Sequence, residues 1–219
     1  MNGYEAARLN MVEGQIRPNK VTDPAILAAF LGVPRELFVP AVLRGSAYVD
    51  EDLPLGGGRY LAEPMVLARL LQFLAIAPAE RVLEIGAGSG YATSLLSRLA
   101  REVVAVESDP GLASTARDTL SRFSTGNVQL VAGPLDQGWP AAAPYDVILF
   151  SGAVSEIPEA VVAQLNEGGR LAAVIRQGNG LVGSAVLLTK REGTVSRREL
   201  FDAATPLLPG FAPRRGFVF

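Results

Sequence analysis

The run Val82-Leu83-Glu84-Ile85-Gly86-Ala87-Gly88-Ser89-Gly90 constrains this chain more than any other segment. Its apolar first half reads as a buried strand, and a helical pattern begins just after Gly90, so only a glycine-rich turn separates the two. Glycines allow that tight turn and let a ligand lie against bare backbone, with the first helical N–H groups facing it. The next strand candidate ends at Glu107, 21 residues after Gly86. A carboxylate there can accept hydrogen bonds from two ribose hydroxyls, so the spacing points to a bound nucleoside.

Glycine spacing narrows the choice of nucleoside. A dinucleotide site wants G-x-G-x-x-G, whereas the sixth position here is Tyr91. The chain instead shows E-x-G-x-G-x-G, with Glu84 two residues before the first glycine. An acidic group there suits a ligand carrying positive charge better than it suits a pyrophosphate. S-adenosylmethionine, with an ammonium, a sulfonium and a ribose, fits both carboxylates. An ordinary strand–turn or a degenerate NAD site is the alternative.

The surrounding pattern is α/β. Strand candidates at Val82–Ile85, Val103–Val106, Val128–Val131, Val147–Phe150 and Leu171–Ile175 alternate with helix candidates at Ala92–Ala100, Leu112–Phe123 and Glu159–Leu165. That alternation predicts a parallel sheet covered on both faces. A helix over Pro64–Leu74 precedes it, burying Val66, Leu67, Leu70, Leu71 and Leu74. Residues 1–62 read as a mostly helical extension plus a site loop. In it Leu9, Val12 and Ile16 recur at helical spacing, and Asp23-Pro24 opens a helix that buries Ile26, Leu27, Phe30 and Leu31. Gly56-Gly57-Gly58 is a hinge or a place of close backbone approach. Residues 63–176 form the cofactor-binding core. Residues 177–219 carry strand candidates Ala185–Thr189, Val195–Phe201 and Phe217–Phe219 without helices between them, as expected of antiparallel strands closing one sheet edge. All three parts are expected to make one domain.

Composition removes several chemistries. With 49% hydrophobic residues the chain can bury a core, and a formal charge of −2 argues against a protein held by nucleic acid or anionic lipid. There is no Cys and no His. Thiol nucleophiles, serine-type triads and the usual zinc ligands are therefore excluded, and no metal is expected. The start Met1-Asn2-Gly3-Tyr4-Glu5 lacks a basic segment before an apolar one, and the apolar stretch Pro64 to Ala79 is too short for a bilayer. A cytoplasmic protein is the expectation, and nothing in the sequence demands a second subunit.

Beyond the glycine turn, the chain resembles the protein-L-isoaspartate O-methyltransferase family. The resemblance rests on Met11-Val12-Glu13-Gly14-Gln15-Ile16, on Val33-Pro34-Arg35-Glu36-Leu37-Phe38-Val39-Pro40 and on Leu55-Gly56. Further matches are Gly138-Trp139-Pro140, Pro144-Tyr145-Asp146, Glu156-Ile157-Pro158 and Gly168-Gly169-Arg170-Leu171. It implies a Rossmann-like three-layer α/β/α methyltransferase fold. It also implies methyl ester formation on the carboxylate of isoaspartyl residues in damaged proteins. By that resemblance Glu84, Gly86, Ala87, Gly88, Gly90, Glu107 and Leu61 contact the cofactor. The chemistry agrees with the composition, because a carboxylate is ionised at pH 7 and needs no general base.

Two departures fall at the site. The family loop resembles G-Q-T-I-S-Q-P, with a Ser near the accepting carboxylate; here Gly58-Arg59-Tyr60-Leu61-Ala62-Glu63-Pro64 puts Ala62 there. One bond to a charged group is worth about 1.5–3 kcal/mol, so its loss predicts transfer slowed roughly 10- to 100-fold. Glu63 adds negative charge nearby, and an inward Tyr60 hydroxyl would be a replacement donor. The family's Gly-Asp-Gly, whose Asp bonds adenine, is here Gly133-Pro134-Leu135, leaving Asp136, Ser151 and Ser155 as further candidates. A different, small-molecule acceptor, or a cofactor-binding pseudoenzyme, is the alternative reading that these changes raise.

Overall fold

A computed structural model of the chain describes residues 3–123, 126–177 and 180–212. Strands β3 (Arg81–Ile85), β4 (Glu102–Glu107), β5 (Val128–Ala132), β6 (Tyr145–Val154) and β7 (Leu165–Ile175) pair in parallel, and β8 (Gly183–Arg191) and β9 (Thr194–Ala203) add antiparallel to one edge. Their order in the sheet is β5-β4-β3-β6-β7-β8-β9. The order reverses at β3: the chain moves outward through β4 and β5, then returns to lay β6 against the other side of β3. Such a switch point opens a crevice at the carboxyl ends of the strands. Ile85, Glu107 and Ser151 all come to that edge.

Alternation along each strand builds two cores. Val82, Val103, Val147 and Val174 face one side, and Leu83, Val104, Ile148 and Ala173 face the other. The first side is covered by α2 (Pro24–Gly32), α3 (Pro64–Leu74) and α4 (Tyr91–Leu99), with α5 (Pro110–Phe123) packed beside α4. The second is covered by α6 (Glu159–Val162), by Leu135 and by Leu208 and Phe211 of the C-terminal segment. The three-layer arrangement predicted from the alternation is present. Among the described residues, no helix is long and apolar enough to cross a membrane.

Local chemistry sets the helix ends. Asp23 accepts the Ala25 and Ile26 N–H groups through its side chain, and Pro24 takes the first helical position, which needs no N–H. The N-terminal segment is helical in α1 (Gly3–Met11), continues through a π-turn at Val12–Ile16, and ends in a hairpin of β1 (Leu53–Gly56) and β2 (Arg59–Leu61) that the helical expectation did not include. Leu9 and Leu31 are exposed, while Val12, Ile16, Ile26, Leu27 and Phe30 are buried. On α2, Ala29 takes the inward place expected for Leu31, because the contact with α4 is close. The helix expected over Glu159–Leu165 is shorter. Leu165 already pairs with Tyr145 as the start of β7, and Gly168-Gly169 lets that strand bulge before Arg170. The Phe217–Phe219 strand candidate lies outside the described residues.

Arg170 ties the sheet to α3. Its guanidinium donates to the Leu74 and Ala75 carbonyls at the end of that helix and to both Glu80 oxygens, at 2.7 and 2.8 Å. Those carbonyls have no partner inside the helix. Arg170→Met keeps the apolar stem and removes the donors, so it is expected to lower the unfolding free energy by about 2–3 kcal/mol. Urea unfolding measures this, and a loss under about 0.5 kcal/mol, the scale of an ordinary surface change, would refute the tie.

Candidate active site

Glu84 sits at the inner end of β3 with no exposure. Thr93 of α4 and Ser151 of β6 each donate a hydroxyl to it, both at 2.6 Å, one to each oxygen. Burial pushes its pKa up, and the two hydroxyl bonds oppose that shift. Glu84 thereby braces β3, α4 and β6, and its remaining lone pairs are still open to a ligand donor. Ser151 enters the site through this bond. Ser155 does not: its N–H donates to the Phe211 carbonyl, and it lines neither cleft described below.

Glu107, also fully buried, ends β4. The Gly88 N–H donates to its Oε2 at 2.7 Å, and the Ser108 and Asp109 N–H groups donate to its Oε1 at 2.8 and 2.9 Å. A buried carboxylate needs such donors, and here they come from the glycine turn and from the start of the loop into α5. The Arg59 guanidinium completes the arrangement, with Nη1 donating to Oε1 at 3.2 Å and Nη2 in ion-pair contact with Oε2 at 3.0 Å. Burial pulls the Arg59 pKa down, while Glu107, Glu84 and Asp109 raise it.

The glycine turn is a cradle. Gly86 holds φ at +86°, and a Cβ there would lie 2.9 Å from Arg59 Nη2 and 3.0 Å from Leu208. At Gly88 a Cβ would lie 3.1 Å from Leu55. Bare backbone is thus covered by a hairpin and by the C-terminal segment. Leu61, Gly86, Ala87 and Gly88 line a narrow cleft, with Tyr60, Ala62 and Ser151 at its mouth. A second cleft next to it is lined by Asp52, Arg59, Tyr60, Ala62, Gly152 and the segment Thr205 to Leu208. Two buried carboxylates beside a cradle of bare backbone fit the donors and the positive charge of S-adenosylmethionine.

Other expected site residues lie elsewhere. Gly90 holds φ at +90°, which favours glycine, and faces α5, where a Cβ would come within 3.2 Å of Leu120. Pro134 and Asp136 are exposed and line neither cleft. Tyr60 is 40% exposed, so its ring is not packed away. Glu63 opens α3, and its N–H is held by Asp52 at 3.0 Å. Burial first, then Asp52 and Asp50, push the Glu63 pKa up to about 7, against the pull of Arg35. Its surroundings therefore oppose the full negative charge expected beside an acceptor. Sequence reasoning missed both the inward Arg59 and the cover supplied by Thr205–Leu208. For Arg59 the signal was present: in a strand, Arg59 and Leu61 share a face.

Similarity to known proteins agrees with this geometry. The sequence model of the family described as protein-L-isoaspartate(D-aspartate) O-methyltransferase matches residues 7–203. The chain belongs to that family. It is 44% identical over 188 residues to a protein-L-isoaspartate O-methyltransferase of Methanoculleus marisnigri, covering 86% of this chain and 84% of the relative. With the enzyme of that name from Koribacter versatilis, identity is 36% over 218 residues, covering 98% and 97%. A solved protein-L-isoaspartate O-methyltransferase superposes with a TM-score of 0.80 at 28% identity, over 95% of this chain and 67% of that one. A second, from Plasmodium falciparum and solved with S-adenosyl-L-homocysteine, gives 0.79 at 20% identity over 95% and 99%, and shows the shared fold.

The raised Glu63 pKa has a stability consequence. The folded state holds a proton on Glu63 up to about pH 7, whereas the unfolded chain releases it near the ordinary value of 4.5. Folded protein binds more protons across that window, so this group's contribution to stability falls as pH rises from about 4.5 to 7 and stays lost above it. Glu63→Gln should therefore be more stable than wild type at pH 8 by on the order of 1 kcal/mol, after allowing for solvent screening, and lose that advantage by pH 4. Urea unfolding at the two pH values measures the difference; an advantage that does not change with pH would contradict the assignment.

Proposed function

We propose that this chain methylates the carboxylate of isoaspartyl residues in proteins or peptides, with S-adenosylmethionine as the methyl donor. The observation that carries the proposal is the pair of buried carboxylates, Glu84 and Glu107, at a glycine cradle in a chain that belongs to the family along nearly its whole length. When bound, the cofactor supplies an electrophilic methyl group on a sulfonium. Glu107 would hold its ribose hydroxyls, the backbone at Gly86, Ala87 and Gly88 would lie against its methionine part, and Glu84 would accept from its ammonium. Leu61 would pack against it from the hairpin. The proposal includes a cytoplasmic setting and excludes nucleic acid and lipid as acceptors, a choice supported by the formal charge of −2.

The residues have a limited task. The acceptor carboxylate is already an anion at pH 7, so no proton has to move. Its oxygen forms the new bond to carbon as the sulfur–methyl bond breaks, and the leaving group departs as a neutral thioether. The protein must hold that oxygen in line and keep water out, which is catalysis by proximity and orientation. A chain without His or Cys is equipped for that. Tyr60, Ala62 and the segment Thr205–Leu208 form the walls that do the excluding.

Purified protein incubated with methyl-labelled S-adenosylmethionine should label a peptide containing isoaspartate and leave the matching aspartyl peptide unlabelled. The label should be released by mild base, as an ester is. Equal labelling of both peptides, or of neither, would overturn the acceptor assignment.

A further inference from the structure

The cleft beside the cradle poses a charge problem. Its ionisable carboxylate and guanidinium lining consists of Asp52 and Arg59, and Ala62 offers no hydroxyl. Arg59 is therefore the cation that an anionic acceptor meets there, yet its charge is matched by Glu107. The match is incomplete. The Arg59 side chain is 2% exposed, and Nε and Nη2 make no hydrogen bond; only Nη1 does. A guanidinium with a purely structural purpose normally satisfies its planar fork of donors on a carboxylate. Here Nη1 and Nη2 meet the two Glu107 oxygens at 3.2 and 3.0 Å, and Nε is the donor left unmatched.

Glu107 is crowded as well. It takes three backbone N–H groups before Arg59 is added, and a carboxylate has about four acceptor sites. Those three and Arg59 Nη1 already fill them, so a ribose hydroxyl reaches Glu107 only when one donor leaves, and Arg59 is the one that is not backbone. Arg59 also lies on Gly86, in the space against the bare backbone. The residue directly follows the glycine tip of the β1–β2 hairpin. Gly56, Gly57 and Gly58 precede it with φ of +98°, +58° and +74°, and the β1–β2 pairing slips register between Pro54 and Gly56. Glycine torsions change at little steric cost.

We propose that Arg59 is this chain's receptor for the acceptor carboxylate, and that it is parked on Glu107 until ribose hydroxyls occupy that carboxylate. The proposal rests on the acceptor assigned above. It gives the missing Ser hydroxyl a charged replacement, and it couples the two ligands. With the ribose on Glu107, Arg59 is free for the acceptor; with an acceptor on Arg59, Glu107 is free for the ribose. Coupling of this kind is reciprocal.

Calorimetry with S-adenosylhomocysteine and an isoaspartyl peptide tests it without turnover. In the wild type, saturating S-adenosylhomocysteine should tighten peptide binding about 10-fold, within the usual range for coupled sites. In Arg59→Gln that enhancement should fall below about twofold, and S-adenosylhomocysteine alone should bind several-fold tighter than in wild type, its competitor for Glu107 being gone. Arg59→Lys, which keeps the charge, should retain part of the coupling and guards against a Gln variant that does not fold. Weaker S-adenosylhomocysteine binding in Arg59→Gln would overturn the proposal and make Arg59 a cofactor ligand. Coupling that survives in Arg59→Gln, or a peptide amidated at that carboxylate that binds as well as the free acid, would also overturn it. Failure of the acceptor assignment is read separately, as absence of labelled ester from wild type, while S-adenosylhomocysteine affinity still reports whether Arg59 competes at Glu107.

Discussion

A carboxylate buried without water has to be paid in hydrogen bonds, and at Glu107 that requirement organises the site. Its three backbone donors come from Gly88 in the turn after β3 and from Ser108 and Asp109 after β4. Two neighbouring parallel strands are thus locked together at the edge where ligands bind. The turn closes further through Gly86 and Ala87, whose N–H groups both point at the Val106 carbonyl, at 2.9 and 3.1 Å. Without Glu107 the buried Gly88 N–H would be unmatched, a cost of about 1–3 kcal/mol. Glu84 makes the same kind of brace one strand over, through Thr93 and Ser151. The acidic residues that suit a cationic nucleoside are also the ones that hold the cradle in shape.

The N-terminal helices dock on that cradle through the residue that breaks the dinucleotide motif. Tyr91, at the sixth position, is fully buried between Phe30 and Phe38, with ring centroids 6.2 and 5.4 Å away in edge-to-face contact. The Arg35 guanidinium stands over its ring at 5.0 Å, and also donates to the Ala47 carbonyl at 2.6 Å and the Ala62 carbonyl at 2.9 Å. A glycine in that place would leave the extension without an anchor. Arg35 thus links α4 to the site loop, so the position of Ala62 depends on packing that begins at Tyr91.

What the sequence disclosed and what it hid follow from the range of the interactions. The helix over Pro64–Leu74 is in place to the residue because its apolar stripe and its proline start are local facts. The central strands β3 and β4 were legible because each is buried on both faces and reads as a short apolar run. Gly90 was legible as a constrained position but not as a packing one, since its neighbour Leu120 lies on another helix. The cover over the site was hidden altogether. The Leu208 N–H donates to the Ala153 carbonyl across 55 residues of chain, and the Ala153 N–H donates to the Pro206 carbonyl. No periodicity predicts such a contact. The charge of Glu63 was misjudged for a related reason: its two acidic neighbours, Asp50 and Asp52, are brought to the start of α3 by the hairpin, not by the helix pattern.

The substitutions in the site loop are coherent when weighed together. An acceptor anion loses one neutral donor at Ala62, and Glu63 would repel it if fully ionised. Surroundings that oppose the Glu63 charge weaken that repulsion, and its position at the head of α3, outside both clefts, weakens it further. Arg59 is then the cation lining the cleft, beside Asp52 and paired with Glu107. A bond to a guanidinium is charge-assisted at both ends and roughly twice as strong as one from a neutral donor, so one Arg offsets one lost hydroxyl. The exchange has a structural condition. A buried guanidinium cannot stand alone while the cleft holds no anion, because an unpaired buried charge costs several kcal/mol. Glu107 meets that condition because it is already fixed by backbone donors and needs no rearrangement to receive or release a cation. The same carboxylate that is proposed to hold the ribose is therefore what makes an arginine tolerable beside it.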